Sequence, residues 1–560
     1  MDKSYLIKGL KRILKLDLVS GSAAERAITF GYSGILLISI IAIYMTANHV
    51  AQWFLYNSDS LWMEDYLHDW LIRGVDMRTW MTPGAPNFFP GMLIYGLFRY
   101  ATGSVYWGFI GYGFVMIIFY VGMIYCLLSL ISEISRVHKL WLSMLCTSVL
   151  LLATILLGSQ FNYLRMPDFW QLFEPTGHGE AIANSLFAIY LILRWIRDPD
   201  RGYVWLLLLL LLSVTASLSD RLYAVWFEYP TLGAAVILLL LRRISWRPLV
   251  RLVSVLLISD VIGREIFVWI VPVQQVPYKL SFNEGLQLSF RFYLVLFNGG
   301  WYHPFVLFSY VCLVGITIRV LFFAWKARSG QVLVSQETTK LFLLPYATLV
   351  LPSSFFAMSL INRPETQYIT GGDLVAISLW VFLLTMSSFG LRLWMKGWFH
   401  TVIITIQVGY ICLRVISSPA SWSSILTIPN PYSELVTCLD SHVKDFKGGA
   451  GLADYWQARR INLYSQRGLR VDQALGEDLT IFQWVSNREM LDDRKHTFVL
   501  TDTPTNLFEI REEDVIRLHG QPDARFICAG YPVLVYYDSL DVPATQNGPW
   551  PLPGAIIKSP

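Results

Sequence analysis

The chain has little charge for its length: only 15% of its 560 residues are Asp, Glu, Lys or Arg, whereas 54% are hydrophobic. A soluble domain carries about 25% charged residues. This composition therefore excludes an ordinary soluble protein and indicates an integral membrane protein. The net charge is only +4, so we expect membrane lipids and no nucleic acid among its partners.

Metal-binding and disulfide motifs are scarce as well. The six cysteines contain no CxxC pair and the nine histidines no HExxH, which argues against a zinc site, and no metal ligand is assigned. Cys438 and Cys528 are the only cysteines after residue 418. In an oxidising compartment they either form a disulfide or stay as two isolated buried thiols, and their spacing leaves both open.

Long apolar runs predict an α-helical polytopic membrane protein with about eleven transmembrane helices. The runs occupy residues 28–46, 104–132, 138–158, 180–196, 203–219, 228–242, 249–271, 303–325, 341–360, 373–389 and 398–416. Basic residues fall in the short connections 136–139, 194–201, 242–251, 326–340 and 392–396. These connections share the cytoplasmic side if the N-terminus is cytoplasmic.

The same topology divides the chain into three parts within the cell (inner) membrane. Residues 1–27 form a cytoplasmic basic amphipathic segment, and residues 28–417 form the transmembrane domain. Residues 418–560 follow an odd number of crossings and so form an extracytoplasmic domain. Alternating apolar residues predict strands at 496–500 and 525–537, and helical patterns cover 452–467 and 479–491. We expect a small α/β domain there.

The first outer loop, residues 57–103, concentrates acidic and aromatic residues between two apolar spans. Its aromatic residues recur every four positions at Trp62, Tyr66 and Trp70, which predicts an interfacial helix lying along the membrane surface. An ordinary loop anchored by an aromatic belt fits the same residues. On such a helix most faces of Glu64, Asp65 and Asp69 meet headgroups or water. Asp59 precedes the helix, where it can point into a cavity beneath the outer loops.

Other outward loops add acids and arginines that we expect to converge on one face. They supply Arg165, Asp168, Glu174, His178, Glu180, Asp220, Arg221 and Arg363. Within the seventh apolar run, Asp260 and Arg264 are four residues apart and Glu265 follows. Ionisable groups at that depth are costly, so this spacing predicts a buried ion pair facing the bundle interior.

Three local patterns match one known family. The stretch from Asp59 ends at Gly74; residues 89–92 lead into a short amphipathic helix closed by Gly103; and residues 362–368 form a late outward loop with a tyrosine. This arrangement resembles the GT-C superfamily of membrane glycosyltransferases, in the branch of protein O-mannosyltransferases and aminoarabinose transferases. The resemblance covers residues 28–416 and does not extend to the C-terminal domain.

The resemblance implies transfer of a sugar from a polyprenyl-phosphate-linked donor to a lipid, glycan or protein acceptor outside the cytoplasmic membrane. Such a displacement needs a carboxylate to take the acceptor's proton and cations where phosphate charge develops. Asp59 is the catalytic base by position, with Glu180, Asp168 or Glu174 as a second acidic group. Arginines bind the donor phosphate, the candidates being Arg221, Arg363, Arg165 and Arg264. No cofactor is assigned, although the acids could hold a divalent cation such as Mg²⁺ or Mn²⁺.

Two other functions fit the sequence. A transporter or flippase of lipid-linked sugars would use Asp260, Arg264 and Glu265 as its pathway, but the hydropathy pattern contains no internal repeat. A non-catalytic envelope assembly protein would use its C-terminal domain to bind partners. Hydrolysis or transfer of a lipid-linked sugar by the purified protein separates the enzyme from both.

Overall fold

A computed structural model shows a mostly helical region followed by a C-terminal domain built on a β-sheet. The structure describes residues 23–49, 55–158, 172–197, 202–272, 282–298, 302–326, 335–361, 371–375, 378, 397–417, 428–474, 476, 479–481, 484–487, 495–503, 509–540 and 542.

The helices before residue 418 follow the apolar runs. They are α1 (Ala23–His49), α2 (Ser58–His68), α3 (Leu93–Thr102), α4 (Val105–Ile131), α5 (Arg136–Gly158), α6 (Gly179–Arg197), α7 (Tyr203–Ser219), α8 (Tyr229–Leu240), α9 (Trp246–Ile270), α10 (Phe282–Asn298), α11 (Tyr302–Lys326), α12 (Ser335–Ile361) and α13 (Gly397–Ser417). Every predicted apolar span other than 373–389, most of which lies outside the described residues, coincides with a helix.

Five of these helices are long and apolar enough to cross a membrane, in α1, α4, α6, α11 and α12. Two shorter apolar helices cover Tyr203–Ser219 and Ala224–Leu240. The chain is thus a membrane protein, and the total of eleven crossings stays a prediction. The sequence did not predict α10, because its 17 residues mix polar and apolar side chains.

Glycines end the helices of the first outer loop at the predicted places. A π-helical turn, Asp69–Arg73, follows α2 and stops at Gly74, which has a φ of 68°. After a cis peptide between Phe89 and Pro90, α3 begins and stops at Gly103, with a φ of 70°. A side chain is rarely tolerated in this left-handed region, which is why glycine closes both helices.

The C-terminal domain is a mixed α/β structure. Its elements are α14 (Glu434–Ser441), β1 (Ala450–Ala453), α15 (Tyr455–Tyr464), β2 (Val471–Gln473), β3 (His496–Leu500), α16 (Glu512–His519), β4 (Ala524–Cys528) and β5 (Tyr531–Val535). The strand order is β2-β1-β3-β5-β4. The first three strands are parallel, and β5 is antiparallel to both β3 and β4.

A disulfide joins Cys438 to Cys528 and so ties α14 to β4, which confirms the first of the two alternatives for these cysteines. Buried disulfide-bonded domains belong to oxidising compartments, so this bond is consistent with an extracytoplasmic location. The strand predicted at 496–500 is confirmed, and 525–537 contains the β4–β5 hairpin.

Two helix predictions in this domain need correction. Leu452 and Ala453 belong to β1, and α15 starts only at Tyr455, because Asp454 caps the backbone N–H groups of Trp456 and Gln457. The helix predicted at 479–491 is wrong for the part of it that is described. Leu479 and Val485 have positive φ values of 56° and 46°, and the segment makes isolated bridges instead.

Candidate functional site

The described parts of the first outer loop and of the loops before α6 and after α7 lie together at one end of the helical bundle. The backbone N–H of Asn87 donates to Ser219 O at 3.0 Å, and that of Met81 donates to Ser486 O of the C-terminal domain at 3.0 Å. At the opposite end, the guanidinium of Arg197 donates to Leu130 O, and Arg243 Nη2 donates to Ala324 O at 3.2 Å. The acidic loops and the C-terminal domain therefore share one end, and these arginines share the other.

Asp59 lies in the first turn of α2 and not before the helix as expected. Asn57 is the N-cap, and its side-chain oxygen accepts from Ser60 N at 2.7 Å. A carboxylate in the first turn is stabilised by the helix dipole and by unpaired N–H groups. The side chain of Asp59 is exposed, and its Oδ1 accepts a hydrogen bond of 2.5 Å from the hydroxyl of Tyr455.

Glu64 of α2 and Asp69 of the turn after it do not face headgroups or water, so that prediction is wrong for these two acids. Glu64 and Asp69 are buried. Glu64 accepts from Tyr95 and Arg99, and Asp69 accepts from Trp80 Nε1 at 3.1 Å. The C-terminal domain and α3 cover α2. The spacing of residues within α2 predicts the helix but not the elements that pack on it.

The aromatic stripe is buried for the same reason. Trp62 and Tyr66 are 3% and 0% exposed and pack in one apolar cluster with Tyr455 and Trp484 of the C-terminal domain. Only Trp70 is exposed. The helix thus lies between the helical region and the C-terminal domain, and the exposed Trp70 follows it.

Asp65 has the clearest electrostatic perturbation in this region. Its carboxylate lies 3.5 Å from Arg459 Nε. Burial raises the pKa of Asp65 to about 6, and the charge of Arg459 opposes that shift. Asp65 and Arg459 line a small cleft between α2 and the C-terminal domain together with Arg470, Asp472 and Asn487.

Glu174 is connected to the residue after Asp59. Its Oε1 accepts from the Ser60 hydroxyl, and it also accepts from Thr176 Oγ1 at 2.9 Å. This contact joins the first outer loop to the loop before α6. The structure therefore brings the predicted base and one predicted second acid to the same part of the site.

Glu180 is fully buried and serves the loop backbone. Its Oε2 accepts from Gly91 N at 2.9 Å, and its Oε1 has no hydrogen-bond partner among the described residues. A Cβ at Gly91 would come within 2.4 Å of Oε2, so a larger residue there would displace the Glu180 carboxylate. The side chain of Asn87 is also buried and has no hydrogen-bond partner in the described part of the chain. Together with Glu180 Oε1 it provides polar atoms inside this end of the bundle that can bind a ligand.

A His–Asp pair was not assigned to the site from the sequence. His178 Nδ1 lies 2.7 Å from Asp220 Oδ2, and Asp220 Oδ1 accepts from Leu222 N at 2.9 Å. Both residues lie in polar loops between apolar runs, and this position was the only indication in the sequence that they belong to the site. Their pairing depends on the packing of α6 against α7, which a single sequence does not specify.

The candidate phosphate-binding arginines are only partly described. Arg221 is exposed, and its guanidinium lies 5.3 Å from the centroid of the Phe267 ring. Arg264 is exposed on α9, as are Asp260 and Glu265. The prediction of a buried ion pair within α9 is therefore wrong: these side chains point away from the packed interior of the described helices. Arg165, Asp168 and Arg363 lie outside the described residues.

Within the described residues, no group of three or more His, Cys, Asp or Glu side chains is arranged to hold a metal ion. The site offers an exposed carboxylate at Asp59, a nearby acid at Glu174 and an exposed guanidinium at Arg221. These groups can accept a proton and stabilise a phosphate. No protein-family model matches the chain, and no curated protein is detectably similar to it in sequence.

Proposed function

We propose that the protein is a glycosyltransferase that moves a sugar from a polyprenyl-phosphate-linked donor to a lipid, glycan or protein acceptor at the extracytoplasmic end of its helical bundle. The observation that carries the proposal is the position of Asp59. It is an exposed carboxylate that contacts Tyr455 of the C-terminal domain, whereas Glu64 and Asp69 of the same loop are buried. The loop also has the glycine-closed helices of the GT-C resemblance.

The roles follow from the chemistry of each group and from its exposure. Asp59 takes the proton of the acceptor, because it is exposed and lies at the end of the bundle where the loops converge. Glu174, linked to Ser60, is the second acidic group. Arg221 holds the donor phosphate, since a guanidinium binds phosphate oxygens in a fork geometry. Arg165, Arg363 and Asp168 remain candidates for the same tasks.

Glu180 supports the site without touching the substrate. It is fully buried and binds the backbone of Gly91, which fixes the start of α3. Arg264 is exposed on α9 and remains a second candidate for binding the donor phosphate. The transporter hypothesis required Asp260, Arg264 and Glu265 to be buried inside the bundle. All three are exposed, so we propose no second function.

The membrane orientation is part of the proposal. The N-terminus is cytoplasmic and residues 418–560 are outside, because basic residues fall in the connections 136–139, 194–201, 242–251, 326–340 and 392–396, which share one side in that topology. A phosphatase fused at residue 430 should be active, and a cytoplasmic fluorescent reporter at the same place should be dark. The reverse pattern would overturn the orientation.

Transfer is tested with purified protein in lipid nanodiscs. Polyprenyl phosphates carrying different radiolabelled hexoses or pentoses are supplied together with a cell-envelope extract as the source of acceptor. We expect at least one donor to release free polyprenyl phosphate and to label an acceptor. Movement of intact donors across proteoliposomes, without any cleavage, would contradict the enzyme and support a flippase.

A further inference from the structure

The C-terminal domain reaches the candidate base through one helix, α15. Asp454 starts this helix by accepting from Trp456 N at 2.7 Å and from Gln457 N at 3.0 Å. The cap places Tyr455 at the first helical position. Its side chain is 1% exposed and packs in the apolar cluster that contains Trp62 and Tyr66 of α2. The Tyr455 ring is therefore fixed by its own helix and by the α2 residues against which it packs.

The same helix holds the backbone on the N-terminal side of Asp59. The hydroxyl of Ser58 donates to Tyr455 O, and Arg459 Nη1 donates to Ser58 O at 2.6 Å. Arg459 is itself 4% exposed and also donates to Val485 O. Together with the bond from the Tyr455 hydroxyl to Asp59, these contacts fix both the backbone and the carboxylate of the first turn of α2.

The hydroxyl of Tyr455 is suited to donate to a carboxylate. Burial raises the pKa of Tyr455 well above its usual value, and the charge of Asp59 raises it further. The phenol therefore stays protonated. A hydrogen bond to the ionised carboxylate favours that form over the protonated one and restricts its rotation.

We propose that Tyr455 is a positioning residue for Asp59, so that the C-terminal domain completes the catalytic site of the transmembrane region. This inference rests on the proposed function. It assigns to the domain a part in catalysis that the GT-C resemblance, which ends at residue 416, does not cover. Removing the hydroxyl leaves the base in place but takes away one hydrogen bond that orients its carboxylate, and this raises its affinity for protons.

The test compares Tyr455→Phe with Tyr464→Phe in the full-length protein. Tyr464 lies on the same helix, and its buried hydroxyl has no hydrogen-bond partner among the described residues, so it controls for loss of a phenol. We expect Tyr455→Phe to lower kcat about tenfold with little change in KM for the donor. The acidic limb of the kcat/KM profile should move about one unit to higher pH. Tyr464→Phe should change neither.

A second substitution keeps the test decisive if Tyr455→Phe folds poorly. Incorporation of 3-fluorotyrosine at position 455 keeps the ring and makes the hydroxyl a stronger donor, so the acidic limb should move to lower pH. An unchanged pH profile in both variants would overturn the inference, even if melting temperatures fell, because a purely structural contact does not move the limb.

Asp59→Asn, measured in the same assay, separates the two claims. If Asp59→Asn is inactive while Tyr455→Phe and the fluorinated protein match the wild type, only the positioning role fails. If Asp59→Asn is fully active, Asp59 is not the base, and both the proposed mechanism and the role of Tyr455 fail. Loss of activity in Asp59→Asn with the expected shifts at position 455 supports both.

Discussion

Arg99 Nε donates hydrogen bonds of 2.9 and 3.0 Å to the two carboxylate oxygens of Glu64. Glu64 belongs to α2 and Arg99 to α3, and the hydroxyl of Tyr95 adds a bond of 2.8 Å to Glu64 Oε2. The two helices of the first outer loop are thus joined by a buried, fully hydrogen-bonded acid, although they are separated in sequence by turns and a cis proline. This pair orients the segment that carries Asp59.

Replacing Glu64 with Ala should destabilise the outer loop. The change leaves the partly buried guanidinium of Arg99 without its partner, which costs about 1 to 3 kcal/mol. We expect the thermal unfolding midpoint of the purified protein in detergent to fall by several degrees. Glu133→Ala, at an exposed position near the end of α4, should leave it unchanged. Equal midpoints for the two variants would show that the Glu64–Arg99 pair does not stabilise the loop.

The raised pKa of Asp65 predicts that the stability of the folded protein depends on pH in a defined direction. Burial raises its pKa to about 6 in the folded protein, whereas an unfolded Asp titrates near 4. The folded state therefore binds more protons between about pH 4 and 6, and this residue's contribution to stability falls as the pH rises through that window. Asn at position 65 does not titrate.

The measurement is the difference in melting temperature between Asp65→Asn and the wild type. We expect that difference to grow in favour of the variant from about pH 4 to 6 and then to level off. Asp76→Asn makes the same chemical change at an exposed position of the same loop and serves as the control. A difference for Asp65→Asn that stays constant across the window would refute the raised pKa.

The disulfide between Cys438 and Cys528 should stabilise the C-terminal domain strongly. The two residues are 90 positions apart, and closing a loop of that length removes about 4 to 5 kcal/mol of chain entropy from the unfolded state. The double substitution Cys438→Ser/Cys528→Ser should lower the melting temperature, whereas Cys126→Ser, which removes a free cysteine, should have a small effect.

Thiol labelling of the denatured protein provides the direct check on this bond. Protein isolated from the membrane should gain two reactive thiols on reduction, since the bond holds two cysteines. The double serine variant should gain none. Identical labelling of the wild type with and without reductant would contradict both the disulfide and the oxidising location that it indicates.

Apolar run length was sufficient to predict most helices of the transmembrane region, and glycine chemistry was sufficient to predict the ends at Gly74 and Gly103. Both signals are local: a span needs a fixed length of apolar residues, and a left-handed helix end needs glycine. Helix α10 was missed because its mixed composition gives no such signal.

The surroundings of the site could not be predicted, because they depend on contacts between distant parts of the chain. The spacing of Trp62 and Tyr66 indicated an apolar face correctly but not what covers it. That face packs on residues such as Tyr455 and Trp484 of the C-terminal domain, which lie far away in sequence. The burial of Glu64 and Asp69 and the link from Tyr455 to Asp59 have the same origin.

The central claim is that Asp59 acts as the catalytic base, and its most direct test is the rate of sugar transfer by Asp59→Asn in lipid-reconstituted protein. Asn keeps the size and hydrogen-bonding capacity of the side chain but cannot take the acceptor's proton. We expect kcat to fall by about 10²-fold or more, with donor binding, folding and melting temperature close to those of the wild type and with Asp76→Asn fully active. Wild-type turnover by Asp59→Asn would contradict the account, and Glu174 would then be the first residue to test as the base.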